Sequence, residues 1–217
     1  MKKQLTLKWP ALALILLFSS ALQAQTGKDF FSSEGTNALY LGIDFTRNKV
    51  IDDANANVTD IRDRQYNGIN DLVVTEVKKF DLKSAFHRSN TVDHDLGLVN
   101  EHNTKANADQ IISTNTGDFH RLKEEDIVNL VKGYDFKDKK GLGILLVSEA
   151  MSKSQKSIAM WVTFIDMNTK KVLLTDRVEG KLGMGFGFRN YWATAIKSVF
   201  EQIEKKKYKE WKAKSGA

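Results

Sequence analysis

The charged residues set most awkwardly in apolar surroundings are Asp44, Glu76, Glu149 and Arg189. A buried charge is costly unless a partner compensates it, so such residues are candidates for acid–base chemistry or ligand binding. Carboxylates and an arginine could do that work if their side chains met in space. The sequence does not show that they meet, and they stand as a polar cluster to be tested.

The histidines and glycines give no strong motif. His94 and His102 lie eight residues apart, about two helical turns, which is too far for both to reach one ion from an unbroken helix. The chain has no cysteine, and no serine stands in a nucleophile elbow. We therefore predict no catalytic residue, no metal and no cofactor.

Three glycines, Gly183, Gly185 and Gly187, precede a predicted helix, as they do in phosphate-binding loops. A dinucleotide fingerprint needs a preceding strand inside a parallel unit, and the strand here belongs to a predicted antiparallel meander. The glycines are better explained as a tight turn. Phe186 and Phe188 beside them are either tucked in or offered to a partner.

Residues 1–24 match a secretory signal peptide, with a basic start, a short apolar run and a small-residue end. The apolar run 11–18 is too short to span a bilayer. We take Ala24 as the working cleavage boundary, and cleavage after Ala21 stays open. This leader predicts a periplasmic protein, with secretion to the medium as the alternative.

The net charge is less informative than it looks. The leader holds three lysines and no acid, so a formal charge of +6 falls to +3 in the predicted mature chain. Much of the excess lies in residues 205–214, around Tyr208 and Trp211. That run predicts a solvated helix end, with attraction to an anionic surface as the alternative. We predict no nucleic-acid partner and no transmembrane segment in the mature chain, while peripheral membrane contact stays open.

Three apolar runs joined by short polar turns occupy residues 144–151, 158–165 and 172–178. Connections this short cannot supply a parallel crossover, so they predict an antiparallel meander at about 142–180. A stripe of Trp192, Ile196, Val199 and Ile203 predicts a long C-terminal helix packed on it. We therefore predict the α+β class with a mainly antiparallel sheet. Residues 25–37 are expected to form a flexible arm and residues 38–212 a single domain.

The element order, with the turn Phe164–Val172 between two strands, resembles the anticodon-binding-domain-like fold. Exported proteins with that fold include the amino-terminal domain of the Tol-system propeller protein and the curli secretion lipoprotein. The resemblance covers about residues 38–203 without a diagnostic motif, so no functional residue is transferred. The chain departs from it in lacking a lipid-anchor cysteine. The resemblance implies protein–protein work in the envelope.

These observations predict an exported, non-catalytic binding or assembly module of the bacterial envelope, whose partner is another envelope protein. Partners bury apolar groups at open ends, so we expect contacts at Trp161, Phe186, Phe188, Arg189, Tyr208 and Trp211. One alternative is a small periplasmic hydrolase, or a metal- or ligand-binding enzyme, that uses Asp44, Glu149 and Arg189, with a metal at His94 and His102. Another is a binder of anionic lipid or glycan surfaces through the basic tail.

Overall fold

The computed structural model describes residues 27–217, so the predicted leader and both cleavage positions lie outside the described residues. The strands are β1 (Ala38–Asp44), β2 (Lys49–Ile51), β3 (Asp93–His94), β4 (Ile112–Ser113), β5 (Leu142–Ser152), β6 (Ser157–Asp166) and β7 (Lys171–Lys181). The helices are α1 (Gly27–Ser32), α2 (Val58–Asp60), α3 (Tyr66–Thr75), α4 (Leu82–Ala85), α5 (Gly97–Asn103), α6 (Glu124–Gly133), α7 (Gly187–Gln202) and α8 (Tyr208–Ser215). The π-helical turns Ile61–Gln65 and Ile203–Lys207 join α2 to α3 and α7 to α8.

Strand β5 organises the sheet because it is paired along both of its edges. Along one edge β6 runs antiparallel to it, from Leu142 to Ser152. Along the other edge β1 and β2 both run parallel to it, at residues 142–147 and 150–152, and therefore lie end to end. Strand β3 pairs with β1 and β4 with β2, again in parallel, and β7 pairs with β6 at the far side.

The prediction of a mainly antiparallel α+β sheet is wrong. Parallel pairings join β1 to β3, β1 to β5, β2 to β4 and β2 to β5, and helical connections separate these strands in the chain. This half of the sheet is of α/β type, and the β5–β6–β7 meander is attached to it. Short turns reveal only neighbours in sequence, whereas β1 pairs with residues about a hundred positions away.

Helices cover both faces of the sheet. In β6 the side chains of Met160, Val162 and Phe164 enter a core shared with α7. Trp161 and Ile165 enter a second core, shared with α5 and α6. Because side chains alternate along a strand, two apolar faces require two covering layers. The middle strand of the meander is therefore central and covered on both sides.

The C-terminal helix packs on the meander as predicted. Trp192, Ile196, Val199 and Ile203 are fully buried in the larger core. The helix begins at Gly187 and continues through its π-helical turn into α8. Strand β7, against which α7 packs, lies at the edge of the sheet.

Residues 27–37 of the predicted flexible arm are described by the structure. Residues 27–32 form helix α1, which contacts α8. Phe30 and Phe31 are buried, and both rings pack against Phe164 of β6. The polar residues around these two phenylalanines concealed an apolar anchor, so Phe30 and Phe31 attach the arm to the core while most of its other residues are exposed.

Two buried asparagines replace a strand along part of β1. Beyond Tyr40, where pairing with β3 ends, Ile43 N donates to Asn70 Oδ1 (2.7 Å) and Asn70 Nδ2 donates to Ile43 O (3.0 Å). Phe45 N donates to Asn103 Oδ1 (2.7 Å). Buried backbone groups need partners, so these amides satisfy an edge that would otherwise be costly to bury. They also fix the end of β1, which carries Asp44.

Candidate functional site

The segment between β7 and α7 presents two large apolar side chains to solvent. Met184 is 98% exposed and Phe186 is 94% exposed. We call residues 182–186 the apolar loop. Within residues 27–217 the other exposed large apolar side chain is Val77, at the end of α3 and away from this loop in sequence. An exposed apolar pair on one short loop is typical of a contact surface.

The apolar loop is held against the start of α7. Gly183 N donates to Thr194 Oγ1 at 2.8 Å. A Cβ atom at Gly185 would lie 2.7 Å from the carbonyl oxygen of Asn190, so glycine is required for this close approach. The two glycines therefore tie the loop down on both sides of Met184, whose side chain projects outwards. A loop anchored in this way loses little further freedom when a partner binds.

A cavity of about 530 Å³ adjoins the apolar loop, and we call it the α7 cavity. This volume lies in the range of ordinary ligand pockets. One wall comes from the start of α7 and the facing wall from the segment that leads into α2, with Lys153 of the β5–β6 turn beside it. The lining residues are Asp53, Asn55, Ala56, Asn57, Asp60, Ile61, Lys153, Gly185, Gly187, Phe188, Tyr191 and Trp192.

Three aromatic rings form the α7 wall of this cavity. The centroid of the Trp192 ring lies 6.3 Å from that of Phe188 and 5.3 Å from that of Tyr191, in edge-on arrangements. Phe188 and Tyr191 are partly exposed, whereas Trp192 is fully buried. Edge-on packing of this kind is favourable for aromatic pairs, so the three rings already contact one another without a ligand.

Compensated charges form the facing wall. Lys153 Nζ lies 2.8 Å from Asp53 Oδ2. Asp60 accepts hydrogen bonds from Arg64 and, at 2.7 Å, from Gln65 Nε2, and these bonds lower the pKa of Asp60. Asn57 caps α2 by accepting from Asp60 N at 3.0 Å. The wall therefore offers polar groups without an uncompensated charge.

The predicted contact residues divide into two groups. Phe186, Phe188 and Arg189 lie together at the apolar loop and the start of α7, where Phe188 also lines the α7 cavity. Arg189 packs over Gly68 of α3: a Cβ atom at Gly68 would be 3.2 Å from its guanidinium. The three residues are neighbours in the chain, and they face solvent, the cavity and α3 respectively.

Trp161, Tyr208 and Trp211 lie elsewhere and are buried, so the premise that they stand at open ends is wrong. Trp211 Nε1 donates to Asp176 Oδ2 at 2.8 Å. Burial opposes ionisation of Asp176, but the hydrogen bonds from Trp211 and Lys207 hold the pKa of that carboxyl below its ordinary value. The tail is thus docked through its aromatic residues, while lysines such as Lys205 and Lys206 remain in solvent.

The four residues of the predicted polar cluster take separate partners. Glu76 lies at the surface, 3.3 Å from Lys79, and Arg189 of α7 packs against Gly68 of α3. Asp44 and Glu149 are buried, each in a hydrogen-bond network of its own. Among the described contacts none joins two members of the set. The alternative of an enzyme that uses Asp44, Glu149 and Arg189 together gains no geometric support.

Asp44 lies at the centre of a network that sequence reasoning missed. His102 Nδ1 donates to Asp44 Oδ2 at 2.7 Å, and the Tyr134 hydroxyl donates to the same oxygen. Thr46 N and Oγ1 donate to Asp44 Oδ1 at 2.7 and 2.6 Å. Burial opposes the charge, yet these four donors keep the pKa of Asp44 below its ordinary value. Burial, followed by the charge on Asp44, raises the pKa of Tyr134.

Glu149 joins three strands at a β-bulge. The register of β5 against β6 shifts between Ser148 and Ala150, and the bulge directs the Glu149 side chain towards its partners. Arg177 Nε donates to Glu149 Oε2 at 2.7 Å, and Trp161 Nε1 donates to the same atom at 3.3 Å. Leu122 N donates to Oε1 at 2.6 Å. The arrangement ties β5, β6 and β7 to the start of α6 and serves structure.

Histidines do not assemble a metal centre in the part of the chain that the structure describes. Within residues 27–217, no three His, Cys, Asp or Glu side chains are placed to hold one ion. His94 is exposed on β3, and His102 is engaged with Asp44. The alternative of a metal at His94 and His102 therefore has no ligand set among these residues.

Comparisons with known proteins give limited information. No helix in residues 27–217 has both the length and the apolar character needed to cross a bilayer. No family model and no curated protein matches the chain.

Two solved structures are similar in part. Lipoprotein GNA1162 from Neisseria meningitidis is 13% identical, with a TM-score of 0.31, over 79% of this chain and 98% of that one. The LpoB C-terminal domain from Salmonella enterica is 7% identical, with a TM-score of 0.25, over 72% of this chain and 96% of that one. Both are bacterial proteins and the first is a lipoprotein. At these TM-scores neither likeness bears on what this chain does, and the specific family stays a prediction.

Proposed function

We propose that this chain is an exported, non-catalytic binding module of the bacterial envelope. Its contact surface is the apolar loop together with the α7 cavity, and its partner is another envelope protein. The single observation that carries the proposal is the near-complete exposure of Met184 and Phe186 on a loop anchored to α7. Export rests on the signal-peptide pattern of residues 1–24.

The energetics favour a protein partner. Burying a Met or Phe side chain contributes about 1.5–3 kcal/mol, so the pair could supply several kcal/mol of binding free energy. The glycines anchor the loop and so reduce the entropy lost on binding. The neighbouring cavity adds a concave region beside the exposed side chains of the loop. Central apolar anchors beside a pocket are the usual composition of binding hot spots.

Photo-crosslinking in the envelope tests this proposal. A benzophenone amino acid at position 186 should give one discrete adduct with a partner protein. The same probe at Lys132, an exposed residue of α6 on the opposite face of the sheet, is the matched control and should give none. Equal adduct patterns at the two positions, or no adduct at position 186 in cells that export the protein, would contradict the proposal.

A further inference from the structure

We propose that the α7 cavity binds the free carboxy terminus of the partner polypeptide, which ends in an apolar residue. This inference rests on the proposed function and specifies what part of the partner enters the cavity. The terminal carboxylate is placed at the start of α7, and the last side chain contacts the aromatic wall. Met184 and Phe186 contact the residues that precede it.

The start of α7 offers unused hydrogen-bond donors. The first N–H groups of a helix have no intrahelical acceptor, and here they belong to Gly187, Phe188 and Arg189. The cap residue Phe186 provides no side-chain acceptor, and the first turn contains no acidic residue. No backbone or side-chain acceptor among residues 27–217 takes these three N–H groups. A helix of 16 residues with free N–H groups favours an anion at that end.

Trp192 provides a second and independent observation. Its side chain is fully buried and lines the α7 cavity, yet its Nε1 has no hydrogen-bond partner among the described residues. Helical side chains lean towards the amino-terminal end of their helix, and the Trp192 ring contacts Phe188 accordingly. A buried N–H without a partner is costly, so the site is incomplete without an acceptor. A ligand oxygen at the start of α7 would accept from this group.

The shape and charge of the cavity favour a peptide terminus over a small anion. Its volume of about 530 Å³ greatly exceeds that of an inorganic anion. Phe188, Tyr191 and Ile61 give it apolar walls. The acids of the facing wall are paired with Lys153 and Arg64, so they do not exclude a carboxylate. The exposed side chains of the apolar loop extend the apolar surface beyond the cavity.

Titration followed by NMR tests the inference at the atom concerned. The probe is an acetylated eight-residue peptide that ends in Ala-Leu-Phe with a free carboxylate, added to the ¹⁵N-labelled protein. The Trp192 indole N–H signal should shift on addition. The indoles of Trp161 and Trp211 donate to Glu149 and Asp176, and serve as matched internal controls that should not move. The same peptide with a carboxy-terminal amide should bind at least about tenfold more weakly, because it cannot present an anion.

Variants and small probes separate the outcomes. Trp192→Phe retains an aromatic ring without the donor and should weaken the peptide acid about tenfold. Equal affinity for acid and amide, or an unmoved Trp192 indole at saturation, would overturn the inference. Phenylacetate or inorganic phosphate binding as tightly as the peptide would also overturn it, in favour of a small-anion site. If position 186 still crosslinks to a partner after such a result, the proposed function stands and the carboxylate assignment fails. If neither experiment succeeds, both fail.

Discussion

Replacing Arg177 by Leu tests the buried ion pair that joins three strands to α6. Glu149 is fully buried, and Arg177 Nε lies 2.7 Å from its carboxylate. Without Arg177 the carboxylate retains Leu122 N and Trp161 Nε1 as donors, and Arg121 still interacts with it electrostatically. Removing one partner of a buried pair costs about 3–5 kcal/mol because the remaining charge loses its direct counter-ion in the interior. We expect the free energy of unfolding to fall by that amount.

Urea denaturation followed by tryptophan fluorescence measures this loss. The matched control is Arg62→Leu, because Arg62 contacts Asp63 at 2.6 Å but both side chains are partly in solvent. That exposed pair should be worth less than about 1 kcal/mol. Adding Glu149→Gln to Arg177→Leu removes the buried charge and should restore about 2 kcal/mol. A loss for Arg177→Leu as small as that of the control, or no recovery in the double variant, would refute the reasoning.

Three further predictions concern β1 and the C-terminal tail. Asn103→Ala leaves Phe45 N–H without its acceptor, so urea curves should show a loss of about 1–3 kcal/mol. Burial opposes the charge on Asp44, yet the bond from His102 and its other donors lower its pKa. Because the folded pKa lies below the unfolded value, the stabilisation should be complete above about pH 5 and be lost as pH falls below about 4. Unfolding midpoints of Asp44→Asn should therefore vary less over that acid range. Trp211→Ala should cost about 3–5 kcal/mol by thermal or urea unfolding, because a fully buried ring is removed.

The Asn103 and Trp211 variants each have a matched control. Asn67 Oδ1 lies 3.5 Å from Asn103 Nδ2, so Asn67→Ala should cost less than about 1 kcal/mol. Lys209→Ser changes an exposed residue of α8 and should stay within about 0.5 kcal/mol of the original protein. If Asn103→Ala or Trp211→Ala loses no more unfolding free energy than its control, the contact assigned to that residue is contradicted. If the unfolding midpoint of Asp44→Asn depends on acid pH as much as that of the original protein, the contacts assigned to Asp44 are contradicted.

The sequence predicted those parts of the fold that local pattern determines. Turns of a few residues around 153–156 and 167–170 specified the β5–β6–β7 meander, and helical spacing from Trp192 to Ile203 specified α7. The parallel pairing of β1 with β5 was missed because it joins distant segments through intervening helices. One signal was available. The run Ile144–Val147 is apolar on both faces, which is typical of a strand inside a parallel sheet.

The tail was misjudged because a π-helical turn interrupts the helical period. Ile203 and Tyr208 are five residues apart, a spacing that would place them on different faces of a regular α-helix. The turn Ile203–Lys207 accommodates an extra residue, so Tyr208 and then Trp211 return to the buried face. The lysines around them dominated the local composition and gave the impression of a solvated end.

The candidate site was predictable in part. Phe186 was among the expected contact residues, but the glycines around it left open whether its ring is tucked in or exposed, and the structure shows it exposed. The cavity was not predictable, because segments that are distant in the sequence form it. The wall that faces α7 comes from residues 53–61, and Lys153 lies beside it. Likewise, Asp44, His102 and Tyr134 are brought together by β1, α5 and the end of α6, and no local pattern links them.

The most direct test of the account is the affinity of a loop variant for the partner captured at position 186. Met184→Ser combined with Phe186→Ser removes both exposed apolar side chains and alters no buried contact. Losing two such anchors should weaken binding by about 100-fold in calorimetry, at an unchanged urea midpoint. An affinity within about twofold of the original protein would show that the apolar loop is not where the partner binds.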